Sequence, residues 1–514
     1  MKYWVAILAL FALASPARAD WYEASSEHFV IYADDSEKDI RRFAENLERY
    51  HSAMAYILNQ KLDAPSPSNR VVIFVAGNQR DIRELAGTKD KTLAGFYLPR
   101  AGASRAFVQD IRNKKGYPSF STTVLLHEYA HHFLISTTRY EMPRWMSEGA
   151  AEFFAAASFN GDGTIQIGRP AQHRGMELAF ADGVSVEQLL DHELYESSRS
   201  GRYDAFYGRS WALYHMLTFS EERRGQLGQY WLKVAQGTPS IEAGREVFGD
   251  LDALDRELDA YLEQRRMMNY VLKPEMIPFG PVTIRPLPKG EAEMMVVRMR
   301  SQRGVDEETA GEVVEDARKI AAKYPGDAGV LTALAEAEYD AGNDDAAIKA
   351  ADAAIALDPS RKNAYVQKGY ALFRKAEDAD DKNAAFEAAM APFSQLNALE
   401  NDHPLPLIYF YRSFLDRGEM PSESARHALE WAYQLAPFDK GLGMNVAMMQ
   451  AAEGKIAIAR DTLGPLSADP HGGGLAKRAK LYLSQLENAT EGESWRPSIV
   501  VVDIPEIDAD DGED

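Results

Sequence analysis

Short apolar runs alternate with helix-spaced stripes in the first third of the chain, and helical spacing dominates the rest. Phe29-Val30-Ile31-Tyr32 and Val71-Val72-Ile73-Phe74-Val75 are β-rich runs bounded by polar or turn residues, which predicts two strands. Between them Ile40, Phe43, Leu47, Tyr50, Met54 and Ile57 fall on one face, predicting a helix over Lys38–Leu58. Further short strands are predicted at Gly95–Leu98 and Arg105–Val108, and Pro65–Ser68 reads as a turn. From about Ser121 the pattern turns helical. Ser121 is placed to cap a helix running to Ile135, and Pro143 to open another running to Ser158. Asn160–Gly163 is a tight turn into a short strand at Thr164–Ile167. Helices are then predicted near Val186–Leu190, Phe206–Phe219, Leu227–Gln236 and Leu251–Tyr270.

Five prolines between Pro274 and Pro288 read as a linker over residues 274–290. Beyond it the chain is alanine-rich and helical, with a period of about 34 residues, the length of one helix-turn-helix repeat. Pro325 to Pro359 spans one such period, and Pro437 to Pro470 falls one position short of it. Leu331, Leu334, Ala335, Gly342, Ala347 and Ala354 take the small or apolar positions of a repeat that resembles the tetratricopeptide unit, and Ala425, Ala432 and Pro437 keep part of a second. Tyr365 and Gly369 open another, interrupted by the charged insertion Lys375–Lys382. The resemblance implies an all-α repeat domain over residues 291–487 that binds a protein partner; an unrelated alanine-rich bundle is the competing reading. The end, 488–514, turns acidic, with seven acidic residues and no basic one from Asp503 onward, and is expected to be disordered or loosely docked.

Composition narrows the function. The 514 residues carry 78 acidic and 57 basic side chains, a formal charge of −21, which argues against nucleic acid as a partner. Cysteine is absent, so disulfides, thiolate metal sites and cysteine nucleophiles are excluded. Lys2, an apolar run from Trp4 to Ala14 and Ala17-Arg18-Ala19 read as a signal peptide over residues 1–19. The apolar run falls short of the roughly 20 residues a membrane span needs, so no stable span is expected after cleavage. The expected destination is outside the cytoplasm, in a bacterial periplasm.

The chemistry concentrates in two segments. His127-Glu128-Tyr129-Ala130-His131 is HExxH, and on a helix it sets two imidazoles on one face with a glutamate beside them. Val124, Leu125, Leu126, Phe133 and Leu134 would bury the rest of that helix and hold the ligands still. Seventeen positions after His131 stands Glu148, in Trp145-Met146-Ser147-Glu148-Gly149-Ala150-Ala151-Glu152-Phe153-Phe154. The spacing allows a turn and an antiparallel return helix, and Gly149, Ala150 and Ala151 let it lie close. Glu152, one turn on, would accept a hydrogen bond from a ligand imidazole. His132 adjoins the motif but points about 100° away from His131 on a helix, and reads as a packing residue or one that orients a ligand; His28, His51, His173, His192 and His215 have no metal spacing and are assigned structural roles.

These two segments together resemble the gluzincin metallopeptidases, more closely the branch that pairs HExxH with W-x-x-E-G-x-A-E-F/Y, over roughly residues 25–270. The resemblance implies an α+β zincin-like metallopeptidase domain at residues 20–273, with one Zn2+ held by His127, His131 and Glu148. It implies Glu128 as general base in hydrolysis of a peptide or protein substrate, and Glu152 as the orienting carboxylate. A downstream tyrosine would stabilise the oxyanion. Tyr207, with Tyr203 behind it, is the candidate, and a packing role for it is an equal reading. The strand at Arg105–Asp110 is where the resemblance would lay an extended peptide. The alternative is a non-catalytic periplasmic interaction scaffold with a structural zinc domain. Hydrolysis of a non-peptide bond is a third possibility, since a fold does not fix a substrate.

Overall fold

The apolar runs pair as a mixed sheet in the computed structural model, which describes residues 21–60, 63–91, 93–111, 116–138, 140–469 and 471–498. The expected signal peptide, and the acidic end from residue 499, lie outside the described residues. Nine strands are described: β1 (Tyr22–Ser25), β2 (Phe29–Ala33), β3 (Val71–Val75), β4 (Gly95–Leu98), β5 (Arg105–Val108), β6 (Ser158–Phe159), β7 (Ile165–Ile167), β8 (Tyr270–Leu272) and β9 (Thr283–Pro286). Six form a sheet in the order β4-β5-β3-β2-β1-β9, with β2, β3 and β5 parallel and the flanking strands antiparallel. β6, β7 and β8 make a small second sheet.

Strands covered on both faces read as continuous apolar runs, because successive side chains point opposite ways and both sets must be apolar. Phe29, Ile31, Ile73, Val75, Ala106 and Val108 pack under the helices Glu37–Ile57 and Phe120–Thr137. Val30, Tyr32, Phe74 and Phe107 face the other way, onto Ile82 and Leu85 of the helix Gln79–Ala86 and onto Met295 and Met299. Those methionines belong to the helix Lys289–Arg303, whose Met294 and Val297 point instead into the next core, with Val313, Ala317 and Val330.

That helix corrects the expected linker. Residues 283–286 form the edge strand β9, paired antiparallel with β1, and the following helix is buried on two sides. Proline is tolerated at the end of an edge strand, where no ladder donor is needed, so the proline-rich stretch is built into the sheet. From Lys289 to Leu486 eleven helices run in sequence, and from Ala328 they stack as antiparallel hairpins. The helix starts Ala328 and Lys362 lie one predicted period apart, and the charged insertion falls at the turn between Lys362–Glu377 and Lys382–Leu399. The described start of the expected tail is docked: Trp495 packs on the last helices, and its backbone N–H donates to Ala451 O (2.9 Å). Among the described residues no helix is long and apolar enough to cross a membrane.

The repeats fold back onto the first domain. Both Glu400 oxygens accept from Ser68, from its N–H and its hydroxyl, each at 2.9 Å. The Asp439 carboxylate accepts from Ala101 N–H (2.9 Å), and the Phe438 ring lies 4.3 Å from that of His132. Between the domains lies a cavity of about 1870 Å³, lined by β4, the HExxH helix and the later repeats.

One buried acid in the repeats makes stability pH-dependent. Burial, then repulsion from Glu336, pushes the Asp340 carboxyl up to about 7, and its Oδ2 has no hydrogen-bond partner. Between pH about 4 and 7 the folded chain keeps a proton that the unfolded chain has lost. This contribution is therefore complete below pH about 4 and lost as pH rises through 7. Asp340→Asn is expected to raise the melting temperature at pH 8 and to change it little at pH 5. Equal melting of variant and wild type at pH 8 would count against this assignment.

Candidate metal centre

The HExxH helix is Phe120–Thr137, capped by Ser119, whose Oγ accepts from Thr122 N–H (3.2 Å). Ser121, the expected cap, is instead buried inside the first turn, donating to Ala94 O (2.7 Å) and accepting from Gln109 N–H (2.7 Å). It ties the helix to the sheet where β4 begins. Within the helix His127 and His131 stand one turn apart, with their Nε2 atoms 3.1 Å from each other. The return helix is Arg144–Ala155, with Pro143 at its N-cap, and it presents Glu148 to the same point. Glu148 Oε2 lies 3.3 Å from His127 Nε2 and 3.4 Å from His131 Nε2.

A fourth donor comes from the repeats. His471 Nε2 is 3.1 Å from Glu148 Oε1, and its ring crosses that of His131 at 78° with centroids 5.4 Å apart. One donor atom from each of His127, His131, Glu148 and His471 falls within a group whose members all lie within 4.8 Å of one another. Nothing in the sequence pattern marks His471, which stands in an irregular loop near the far end of the chain from Glu148.

These residues fit a divalent cation. Glu148 is fully buried, yet neither carboxylate oxygen has a hydrogen-bond partner. An isolated carboxylate in such a place costs several kcal/mol unless a positive charge meets it. Two imidazole nitrogens turned toward each other likewise need a proton or a cation between them. Burial opposes charge on His127, but Glu148 and Glu152 favour a positive charge there, holding its imidazolium up to about 10. A cation bound by the same atoms does the same work.

The carboxylate behind the site is held in turn. Glu152 Oε1 approaches His127 Nδ1 at 3.1 Å, an ion-pair distance although the angle is poor for a hydrogen bond. It accepts from Arg174 (2.7 Å), and its other oxygen meets His173 Nε2 at 2.5 Å. Burial works against its charge, but Arg174 above all keeps the Glu152 carboxyl well below its usual range. Spacing alone gives His173 a structural role and leaves Arg174 unmarked; the fold brings both to Glu152. On the other imidazole, His131 Nδ1 meets the Ser147 hydroxyl at 3.2 Å.

Glu128 and Tyr207 line the cavity beside the donors. Tyr207 opens the helix Phe206–Phe219, 6.5 Å centroid to centroid from His127, with the Arg174 guanidinium over its ring. Burial, then the charge of Glu148, pushes its phenol well up, so it stays a donor. Tyr203 is exposed, lines the same cavity and donates to Glu177 (3.2 Å). The peptide-binding strand needs correction: β5 lies inside the sheet and β4 is its outer strand, with Gly95, Phe96 and Tyr97 on the cavity wall. His132 serves packing, in contact with Tyr97 Oη (2.6 Å), and burial depresses it to about 3.

The family described as "Protein of unknown function (DUF1570)" matches residues 121–240, the stretch holding both motifs and Tyr207. No curated protein matches this chain. Among solved structures, TTC0263, a thermophilic TPR protein of Thermus thermophilus, is 16% identical over 37% of this chain and 97% of its own, with a TM-score of 0.31. MamA is 17% identical over 40% and 95%, with a TM-score of 0.25. Overlaps this weak have no bearing on the fold, and the repeat reading rests on the helical hairpins themselves.

Proposed function

We propose that this chain is an exported zinc-dependent peptidase in which His127, His131 and Glu148 hold the metal and Glu128 is the general base. The observation that carries it is a fully buried carboxylate without a hydrogen-bond partner, facing two imidazole nitrogens beside a large cavity. When bound, zinc supplies a Lewis acid that polarises a carbonyl and makes water more acidic. Glu128 takes a proton from the attacking water and returns it to the leaving amine. Tyr207 donates to the developing oxyanion. β4 has no strand beside it among the described residues on its outer side, so its backbone can pair with an extended peptide. Glu152 and Ser147 keep the two imidazoles oriented. The repeats recruit the substrate or a partner protein.

A second reading has its own support. Four protein donors around one point is the arrangement of a structural zinc, and His471 makes the fourth. The protein would then be an interaction scaffold whose metal pins the repeats to the first domain.

Glu128→Gln separates the two. It is expected to keep about one zinc per chain and to lose cleavage of a mixed peptide library by roughly 10²- to 10⁴-fold, the usual contribution of a general base. Metal content by mass spectrometry and cleavage by peptide sequencing read the two quantities separately. Cleavage that survives the substitution, or is missing even when His471→Ala opens the fourth position, would leave the scaffold.

A further inference from the structure

We infer that His471 is a displaceable fourth metal donor, by which the repeat domain closes the position that hydrolysis requires. The inference rests on the metal site proposed above, though not on its being catalytic.

The four donors are not alike. His127, His131 and Glu148 are buried on two adjoining helices of one domain, whereas the His471 side chain is 41% exposed and enters from the cavity. It stands on a loop between the helices Ile456–Ser467 and Gly473–Leu486, at the end of the array. The array's last helix pair stands here, so a movement of the loop leaves the earlier repeats in place. Gly472 in the loop is followed by Gly473 and Gly474 at the start of the helix, and Gly473 has φ +45°, a left-handed conformation that glycine adopts without strain.

The loop also has a fastening independent of the metal. Lys440, at the start of the helix Lys440–Ala452, pairs with Asp469. Asp469 Oδ1 accepts from His471 N–H (3.0 Å), setting the histidine's backbone two residues on. Lys440 follows the contacts of Phe438 with His132 and of Asp439 with Ala101. One short segment therefore docks the repeats on the HExxH helix and aims the fourth donor. A zinc site with four protein donors is closed, and one with three is open to substrate. Withdrawal of His471 changes the first into the second.

The test uses the full-length mature chain loaded with Co2+, with acetohydroxamate as a small metal-binding probe. Wild type is expected to show the visible spectrum of a site with four protein donors. His471→Ala is expected to show a changed spectrum and to bind acetohydroxamate ~10-fold or more tightly, because a state open only one-tenth of the time weakens apparent affinity by that fraction. Lys440→Ala keeps all four donors; it should retain the wild-type spectrum while tightening acetohydroxamate binding. Identical spectra and affinities in all three proteins would overturn the inference and leave a three-donor metal site standing. Failure of wild type and both variants to hold Co2+ or Zn2+ would overturn the metal site itself. Should His471→Ala misfold, His471→Gln and Lys440→Ala carry the test, and unchanged acetohydroxamate affinity in both counts against it.

Discussion

Glu148→Ala is expected to release zinc and, with it, most of the stability that the bound metal gives the fold. The wild-type carboxylate is fully buried, with no hydrogen bond to either oxygen, and imidazole nitrogens of His127, His131 and His471 stand 3.1–3.4 Å from it. Burial opposes that charge, but the histidines beside it keep the Glu148 carboxyl well below its usual range even without metal. Alanine removes one partner of this buried arrangement and leaves a small void, so the metal-free variant is expected to be no more stable than the metal-free wild type. With metal the loss is greater. Four-donor zinc sites bind with roughly 10–16 kcal/mol, so losing one donor weakens binding by on the order of 10²- to 10³-fold. A metal present at a hundredfold excess over its Kd stabilises the fold by about 2.7 kcal/mol, and the variant forfeits most of this. Melting with and without a chelator checks both halves. The wild type should lose stability on chelation; the variant should start lower and hardly move. A variant that melts with the wild type in both conditions would mean that Glu148 does not hold a metal.

How much of this was legible depended on how local each signal is. Three donors were readable because two lie one helical turn apart and the third follows a single reversal, so spacing along the chain maps directly onto distance. His471 was not, since its approach depends on how the whole helical array curves back, and no periodicity encodes that. The strands show as apolar runs, but the choice of Arg105–Asp110 for the peptide fails because strand order is set by non-local pairing. Proline misled in the stretch before Lys289, where an edge strand accepts it. Ser119 and Ser121 are equally eligible caps by residue type; burial decides, sending Ser121 to the backbone of Ala94 and Gln109. The helix expected to reach Tyr270 ends at Leu262, after which Glu263-Gln264-Arg265-Arg266 offers no apolar face, and Tyr270 joins β8.

Gly149→Ala is expected to destabilise the first domain by about 3 kcal/mol and to weaken zinc binding with it. In an isolated helix the same change helps, since alanine is favoured over glycine by about 1 kcal/mol. Here a Cβ would stand 2.4 Å from Ser210 O, 2.9 Å from Ser210 C and 3.1 Å from Tyr214 Cβ. The first two are backbone atoms of the helix Phe206–Phe219, so no rotamer change relieves the clash and the two helices must part. They carry Glu148 and Glu152 on one side and Tyr207 on the other, so separation widens the site as it loosens the core. Gly311 supplies the contrast. It is exposed in the helix Glu307–Lys323, with nothing within 4 Å of the place an added Cβ would take. Gly311→Ala should be neutral or stabilising by up to about 1 kcal/mol. Urea midpoints and zinc competition against a chelator should separate the two variants. Matching stabilisation in both would mean that the helices beside the metal are not in contact at Gly149, and the small residues after Glu148 would lose their explanation.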